Sequence, residues 1–233
     1  MELAHPSMKS RFARLIGDIG PGHGLLYLLQ RSVAALRLPV AVHAYLLVEQ
    51  PTGNAPRLVG RRVRAFESRP VEDGDPALAD MPLDAATLAY RRAQGARCLG
   101  LFHDGRLAAY MWFCLDGYDE DEVRCRFRPL PAGETAWDFD VYVLPEFRNG
   151  LAFAALWDHA DAALRAAGRT RTMSRISAFN MQSRASHRRL GAVELARLSF
   201  IRIGAFQLMI ASRRPWLHIG FGPKSRPVMN IGG

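Results

Sequence analysis

The spacing of apolar residues changes period sharply at Pro145, and that change limits what this chain can become. Before it, Trp137, Phe139, Val141 and Val143 alternate with Asp138, Asp140 and Tyr142, the two-residue repeat of a strand with two distinct faces. Beyond Gly150 the apolar positions fall at Leu151, Phe153, Leu156, Trp157, Ala160 and Leu164. That stripe has a period of about 3.6 and predicts a helix, with Gly168 as its stop. Residues 170–177 read as a strand again. A helix of this length can bridge two parallel neighbours through a right-handed crossover, so the chain is α/β with at least one parallel pair.

Elsewhere the pattern is antiparallel. Asp104-Gly105 separates two apolar runs, 98–103 and 107–115, and its residue types suit the positive backbone angles of a type I′ hairpin. Residues 41–49 and 57–66 alternate as two strands with a turn at 51–56, and 68–82 is a polar loop. Asp84 then caps a short helix that Gly95 stops. Residues 123–128 and 136–144 continue the antiparallel run, and strands at 193–203 and 206–211 follow a short helix over 180–190. The expected architecture is a mixed, mainly antiparallel sheet with flanking helices. Residues 1–40 form an N-terminal extension: a linker punctuated by Gly17, Gly20, Gly22 and Gly24, then a helix with Leu25, Leu28, Leu29, Val33 and Leu36 on one face. The main domain is 41–212, and 213–233 is a Pro/Gly-containing tail expected as an irregular arm.

Composition removes several classes. With 49% hydrophobic and 23% charged residues, the chain is neither disordered, collagenous nor coiled coil. Cys98, Cys114 and Cys125 fit neither a disulfide scaffold nor a zinc-finger spacing, and no metal is expected. The apolar stretch 25–48 carries Arg31, Arg37, His43 and Pro39, so it reads as a helix plus a strand and not as a membrane span. With no cleavable signal before it, the cytoplasm is the expected compartment. The formal charge of +9 is concentrated in the last third, where 12 Arg or Lys stand against Glu194 alone. Such a field favours phosphates, but no nucleic-acid module accompanies it, and nucleic acid is not an expected partner. An acidic run, Asp116, Asp119, Glu120, Asp121 and Glu122, reads as a solvated turn that could also attract an amine. His159 and Asp161 fall opposite the apolar stripe of the long helix and are expected to face solvent.

Chemistry concentrates between Trp137 and Ala192. The unpaired amides at a helix's first turn lie at the positive end of its dipole and can receive a diphosphate. Gly150 permits close approach and Arg148 adds a bidentate donor. Asp138 and Asp140 alternate with the apolar positions and therefore fall on one face of a regular strand. Asn180 and Ser183 suit the N-cap and first turn of the short helix.

The order Val143-Leu144-Pro145, Arg148-Asn149-Gly150, Asn180 and Leu190-Gly191-Ala192 resembles the GNAT superfamily of acyl-CoA N-acyltransferases. The resemblance covers the second half of the chain well and the strands from residue 41 more loosely. It implies a central parallel pair that splays to admit a pantetheine arm, with acetyl-CoA or another acyl-CoA as co-substrate and transfer of the acyl group to a primary amine. It implies diphosphate binding at the amides of Asn149, Gly150, Leu151, Ala152 and Phe153, alignment of the arm by the backbone of Val141, Tyr142 and Val143, and a contact from Asn180. The family's glycine positions counted from Arg148 fall on Leu151 and Phe153, so the match requires a loop one residue shorter that uses Gly150 and Ala152. The position seven after the Asn, often a tyrosine that protonates the leaving thiolate, is His187 here. For the base, Asp140 comes first and Asp138 second. The acceptor is a small-molecule or peptide amine. Two alternatives stay open: an acyl carrier protein or long-chain acyl-CoA as donor, suggested by the short loop and the basic final third, and a non-catalytic binding module in which Leu151 and Phe153 fill the cleft.

Overall fold

A computed structural model describes residues 21–60, 65–148 and 150–232. Its elements are α1 (Pro21–Ala35), β1 (Val40–Pro51), β2 (Phe66–Pro70), α2 (Ala85–Ala93), β3 (Arg97–His103), β4 (Arg106–Cys114), β5 (Tyr118–Asp119) and β6 (Arg126–Pro129), followed by β7 (Thr135–Val143), α3 (Ala152–Ala166), β8 (Arg171–Ser177), α4 (Met181–Arg189), β9 (Val193–Ile203), β10 (Phe206–Ala211), β11 (Leu217–Phe221) and β12 (Val228–Ile231). Nine strands form one sheet in the order β11-β10-β9-β1-β8-β7-β4-β3-β2, in which β7 and β8 are the parallel pair. The mixed α/β architecture, mainly antiparallel with flanking helices, is as the sequence pattern requires.

The local signals behave as their chemistry dictates. Asp104 and Gly105 both take positive φ, 49° and 76°, in the β3–β4 hairpin, the pair of angles a type I′ turn needs. Asp84 accepts from the Thr87 amide at 2.7 Å and so caps α2. On one side of the sheet, α3 lays Ala155, Leu156, Trp157, Ala160 and Leu164 against Leu99, Leu101, Met111 and Phe113. Each large side chain buried this way contributes about 1.5–3 kcal/mol. On the other side, Trp112, Trp137, Phe127 and Tyr118 anchor the larger core. The three cysteines are free and buried, and burial pushes the Cys98 and Cys114 thiols up to about 12.

Several expectations fail for tertiary reasons. Among the described residues the expected hairpin of 41–49 with 57–66 does not form; 61–64 lie outside them. β1 lies between β8 and β9 in the middle of the sheet, and β2, which runs from the last residue of the expected strand into the expected loop, pairs with β3 at the far edge. β6 leaves the main sheet and joins β5 and β12 in a small one. The tail is not irregular: β11 extends the main sheet beside β10, and β12 runs parallel to β6. Helix α1 begins at Pro21, so Gly22 and Gly24 lie inside it, while Gly17 and Gly20 lie outside the described residues. Asp161 does not face solvent. At 2% exposure it accepts from the Gly53 amide and from Arg57, whose loop it holds against α3, and His159 contacts the Ser68 hydroxyl at 2.9 Å.

Candidate active site

The parallel pair is in register for three positions, Thr135 with Arg171, Ala136 with Thr172 and Trp137 with Met173. Both strands continue beyond, to Val143 and Ser177, without pairing with each other. Residues 135–139 are buried, whereas 140–143 are half-buried, so the sheet is split at its upper end. A bulge accompanies the split. Opposite β4, Tyr142 pairs with Tyr110 but Phe139 pairs with Trp112, which leaves Asp140 and Val141 against Met111 alone, and Asp140 takes φ 50°. An extra residue of this kind bends its strand and interrupts the alternation of faces.

The bulge separates the two carboxylates that a regular strand would place together. Asp138 is 1% exposed on the α3 side, beside Thr172, Ser174 and Asp161, and burial pushes its carboxyl up to about 7. Asp140 lies on the other side, where Arg91 from α2 donates to it at 2.6 Å and stands over the Trp112 and Phe139 rings. Asp138 is thus enclosed, and the pairing of these residues as neighbours on one face is corrected.

On the α3 side a cleft of about 510 Å³ opens between the start of α3 and one face of α4. Its walls include Val143, Phe147, Gly150, Phe153, Gln182 and Ser186, with Arg148 and Arg189 at hand. Leu151, at the N-cap position of α3, supplies no side-chain cap, so the first-turn amides from Ala152 onward remain without a side-chain acceptor. A Cβ at position 150 would meet nothing nearer than the Phe147 carbonyl at 3.4 Å. The fold therefore does not demand glycine there, and what its absence of side chain leaves is room in front of the helix. Phe153 lines the cleft without closing it. Arg148 folds back, donating to the Val143 carbonyl at 3.1 Å and lying over Tyr142. Asn149 lies outside the described residues.

On α4, Asn180 accepts from the Ser183 amide at 3.0 Å and is the N-cap, as its position predicts. Gln182 and Ser186, which sequence reasoning passed over, face the cleft; a helical wheel started from Asn180 places them one turn apart on one side. His187 points inward. It is 5% exposed, edge-on to Phe153 and Trp157, with Nδ1 at 3.3 Å from the Gln50 side-chain oxygen. Burial lowers its pKa to about 4, so near neutrality it is an uncharged imidazole and not the imidazolium that an unperturbed histidine could supply.

The opposite side of the split carries a charged strip. The acidic run is a solvated turn only in part: Asp116, Asp121 and Glu122 are exposed, but Glu120 is buried and the run is tied to arginines. Asp121 pairs with Arg91, Glu120 receives a two-pronged bond from Arg175 on β8 at 2.7 Å, and Glu122 pairs with the same Arg175 at 2.9 Å. One loop thus holds partners from both sides of the gap. Tyr45 on β1 donates to Glu122 at 2.7 Å and lies 3.0 Å from Nδ1 of His43. Because a carboxylate only accepts, the Tyr45 proton goes to Glu122, and the His43 Nδ1–H then donates to the Tyr45 oxygen. Nε2 of His43 is left with a free lone pair. Burial lowers the His43 pKa against the opposing pull of Glu122, which keeps the ring neutral. No group of three or more metal-ligating side chains occurs among the described residues.

Comparison with known proteins bears on the family and the fold. The profile of the Acetyltransferase (GNAT) family matches residues 63–192. A tandem GNAT protein from the clavulanic acid biosynthesis pathway is 14% identical, with 86% of this chain and 61% of that one covered at a TM-score of 0.50. A GNAT-family protein from Novosphingobium aromaticivorans is 19% identical over 68% of this chain and 63% of its own, at 0.46. A GCN5-related N-acetyltransferase from Kribbella flavida is 15% identical over 82% and 63%, at 0.44. The chain spans roughly three-fifths of the length of these three structures. A search of curated proteins returns no match.

Proposed function

The chain belongs to the Acetyltransferase (GNAT) family, and we propose that it is an N-acyltransferase that moves an acyl group, acetyl in the simplest case, from coenzyme A to a primary amine by direct attack. The parting of β7 and β8 above Trp137 and Met173 carries this reading, because it leaves strand amides and carbonyls unpaired beside a cleft headed by uncapped helix amides. Unpaired backbone groups need partners, and a pantetheine arm with its own amides supplies them.

In this reading the amides at the start of α3, with Arg148 and Arg189, hold the diphosphate, and Val141, Tyr142 and Val143 align the arm. Releasing the Arg148 side chain from the Val143 carbonyl frees both groups for the donor. The arm fills the α3/α4 side, so the amine approaches from the charged side. There its nitrogen attacks the thioester carbonyl, the C–N bond forms as the C–S bond breaks, and one proton leaves the amine. Asp140 is engaged by Arg91, so the proton passes to Nε2 of His43, directly or through a water. The departing thiolate takes its proton from solvent at the open cleft, because the uncharged His187 ring has a single N–H and turns it to the Gln50 side-chain oxygen. A base placed this way contributes about 10²- to 10⁴-fold.

Thiol release from acetyl-CoA, followed over a panel of primary amines with calorimetric titration of coenzyme A alongside, tests the proposal. Saturable binding with amine-dependent thiol release is the expected result. No stabilisation of the fold by millimolar coenzyme A would leave a non-catalytic binding module. A strong preference for acylated carrier protein over acyl-CoA would move the donor to that carrier.

A further inference from the structure

A broad exposed apolar area lies away from the split. On the side of the sheet covered by α1, Leu26 packs on Ala44, Leu46 and Val48 of β1. The register carries that face outward, from Val42 to Ile201, from Ile201 to Leu208 and from Leu208 to Ile219. Across β9, β10 and β11 it continues without a helix above it among the described residues. Ile203, Ile210, Leu217, Ile219 and Phe221 are exposed, Phe221 at 70%, and the Phe221 ring lies 5.3 Å from that of Phe206. Helix α1 also turns Leu25 and Leu36 to solvent, at 70% and 69%. Monomeric proteins rarely leave so much contiguous apolar surface without a use for it.

The charge around this face is one-sided. Residues 21–48 and 193–233, which build it, contain eight arginines and lysines and one acidic side chain, Glu194, already bonded to Arg197; Arg202, Arg213 and Arg226 are engaged elsewhere, by the Glu122 and Gly232 carbonyls and by Asp119, and the others are left for the rim. Arg31, Arg37, Arg214 and Lys224 are exposed and form no ion pair among the described residues. Arg214 lies 4.8 Å above the ring of Trp216, which is 57% exposed. Two copies of the face set against each other would bring like charges together. An acidic protein would answer the rim but would need an equally broad apolar patch of its own. A bilayer with anionic headgroups answers both: hydrocarbon for the isoleucines and leucines, headgroup charge for the rim, and the interfacial zone that tryptophan and arginine favour.

We propose that the face formed by β9–β11 and the outer side of α1 docks the protein onto anionic lipid bilayers, with the apolar centre in the upper acyl region and the arginines among the headgroups. The attachment is peripheral; no helix of the described residues is long and apolar enough to span a membrane.

Co-sedimentation of the full chain with vesicles tests this, comparing phosphatidylcholine alone with an equimolar phosphatidylglycerol and phosphatidylcholine mixture. Expected are binding to the mixture at least about tenfold tighter than to phosphatidylcholine, a blue shift of the emission that Trp216→Phe abolishes, and weakening by salt. Ile219→Asp with Phe221→Asp should reduce binding by more than about tenfold, since each buried apolar side chain is worth about that factor. Arg214→Glu with Lys224→Glu, which leaves the apolar face intact, should reduce it by about fivefold per charge. Melting curves establish that the variants fold. Absence of binding by folded wild-type protein overturns the proposal. So does equal binding to both vesicles, self-association that Phe221→Asp removes without any vesicle binding, or capture of an acidic carrier protein by the same residues in place of lipid.

Discussion

On the α3/α4 side of the split the walls are Phe147, Phe153 and Leu190 with uncapped amides, whereas on the opposite side Arg91 and Arg175 hold Asp140, Asp121, Glu120 and Glu122. One side offers dipoles and space, the other a strip of paired charges. A thioester with a long neutral arm and an anionic head suits the first. An amine, which arrives protonated and must lose a proton, suits the second, because acidic side chains and a neutral imidazole lie together there. The difference teaches that the bulge at Asp140 does more than bend β7: it sends the carboxylates of one strand to opposite sides and gives the two sides different chemistry.

The contrast can be broken or sharpened by substitution. The largest effect is expected for Arg175→Ala, which strands the enclosed Glu120 carboxylate; urea unfolding should report a loss of about 3–5 kcal/mol, and a loss under about 1 kcal/mol would mean the strip is not structural. Next is Asp138→Asn. Its folded pKa of about 7 lies above the unfolded carboxylate value, so the native state holds an extra proton in between, and stability falls as pH rises from about 4 to about 7. The asparagine removes that dependence and should gain on the order of 4 kcal/mol at pH 8 with little change at pH 4. His187 has the opposite sign: its pKa of about 4 is depressed, so stability is full above about 6.5 and lost as pH falls toward 4, a loss that His187→Gln should flatten in acid melts. Ala154→Trp fills the cleft from the outer face of α3; coenzyme A affinity by calorimetry should fall at least about tenfold, about 1.4 kcal/mol, while the melting temperature holds. The smallest effect is expected for Arg189→Ala, about fivefold in coenzyme A affinity with a shallower salt dependence, in keeping with one exposed phosphate contact. His43→Gln belongs to the other side: it should leave that affinity unchanged and lower turnover near neutral pH, and equal turnover would remove His43 from the proton path.

Local chemistry in the chain reached a long way. The change of period at Pro145, the Asp104-Gly105 hairpin and the caps at Asp84 and Asn180 each depend on a few neighbouring residues, and each forms where its residues predict. The helix-start cleft was legible for the same reason, through Gly150 and the stripe of α3. The Arg148 fold-back was not, because it depends on a carbonyl that β4 and β8 leave free. Strand partners were legible only where a short turn enforces them: β3 finds β4, but β1 finds β8 and β9, more than a hundred residues away, and the tail finds β10 and β6.

What the residues determined by themselves is the set of elements and the membership of one crossover, since periodicity, capping and turn geometry act within a few residues of chain. What only the tertiary structure decided is which groups meet. The bulge that parts Asp138 from Asp140, the burial that neutralises His187, and the joining of Glu120 and Glu122 to Arg175 all depend on contacts between distant segments. Side-chain spacing carries no record of such contacts, because a one-residue slip in register exchanges every face.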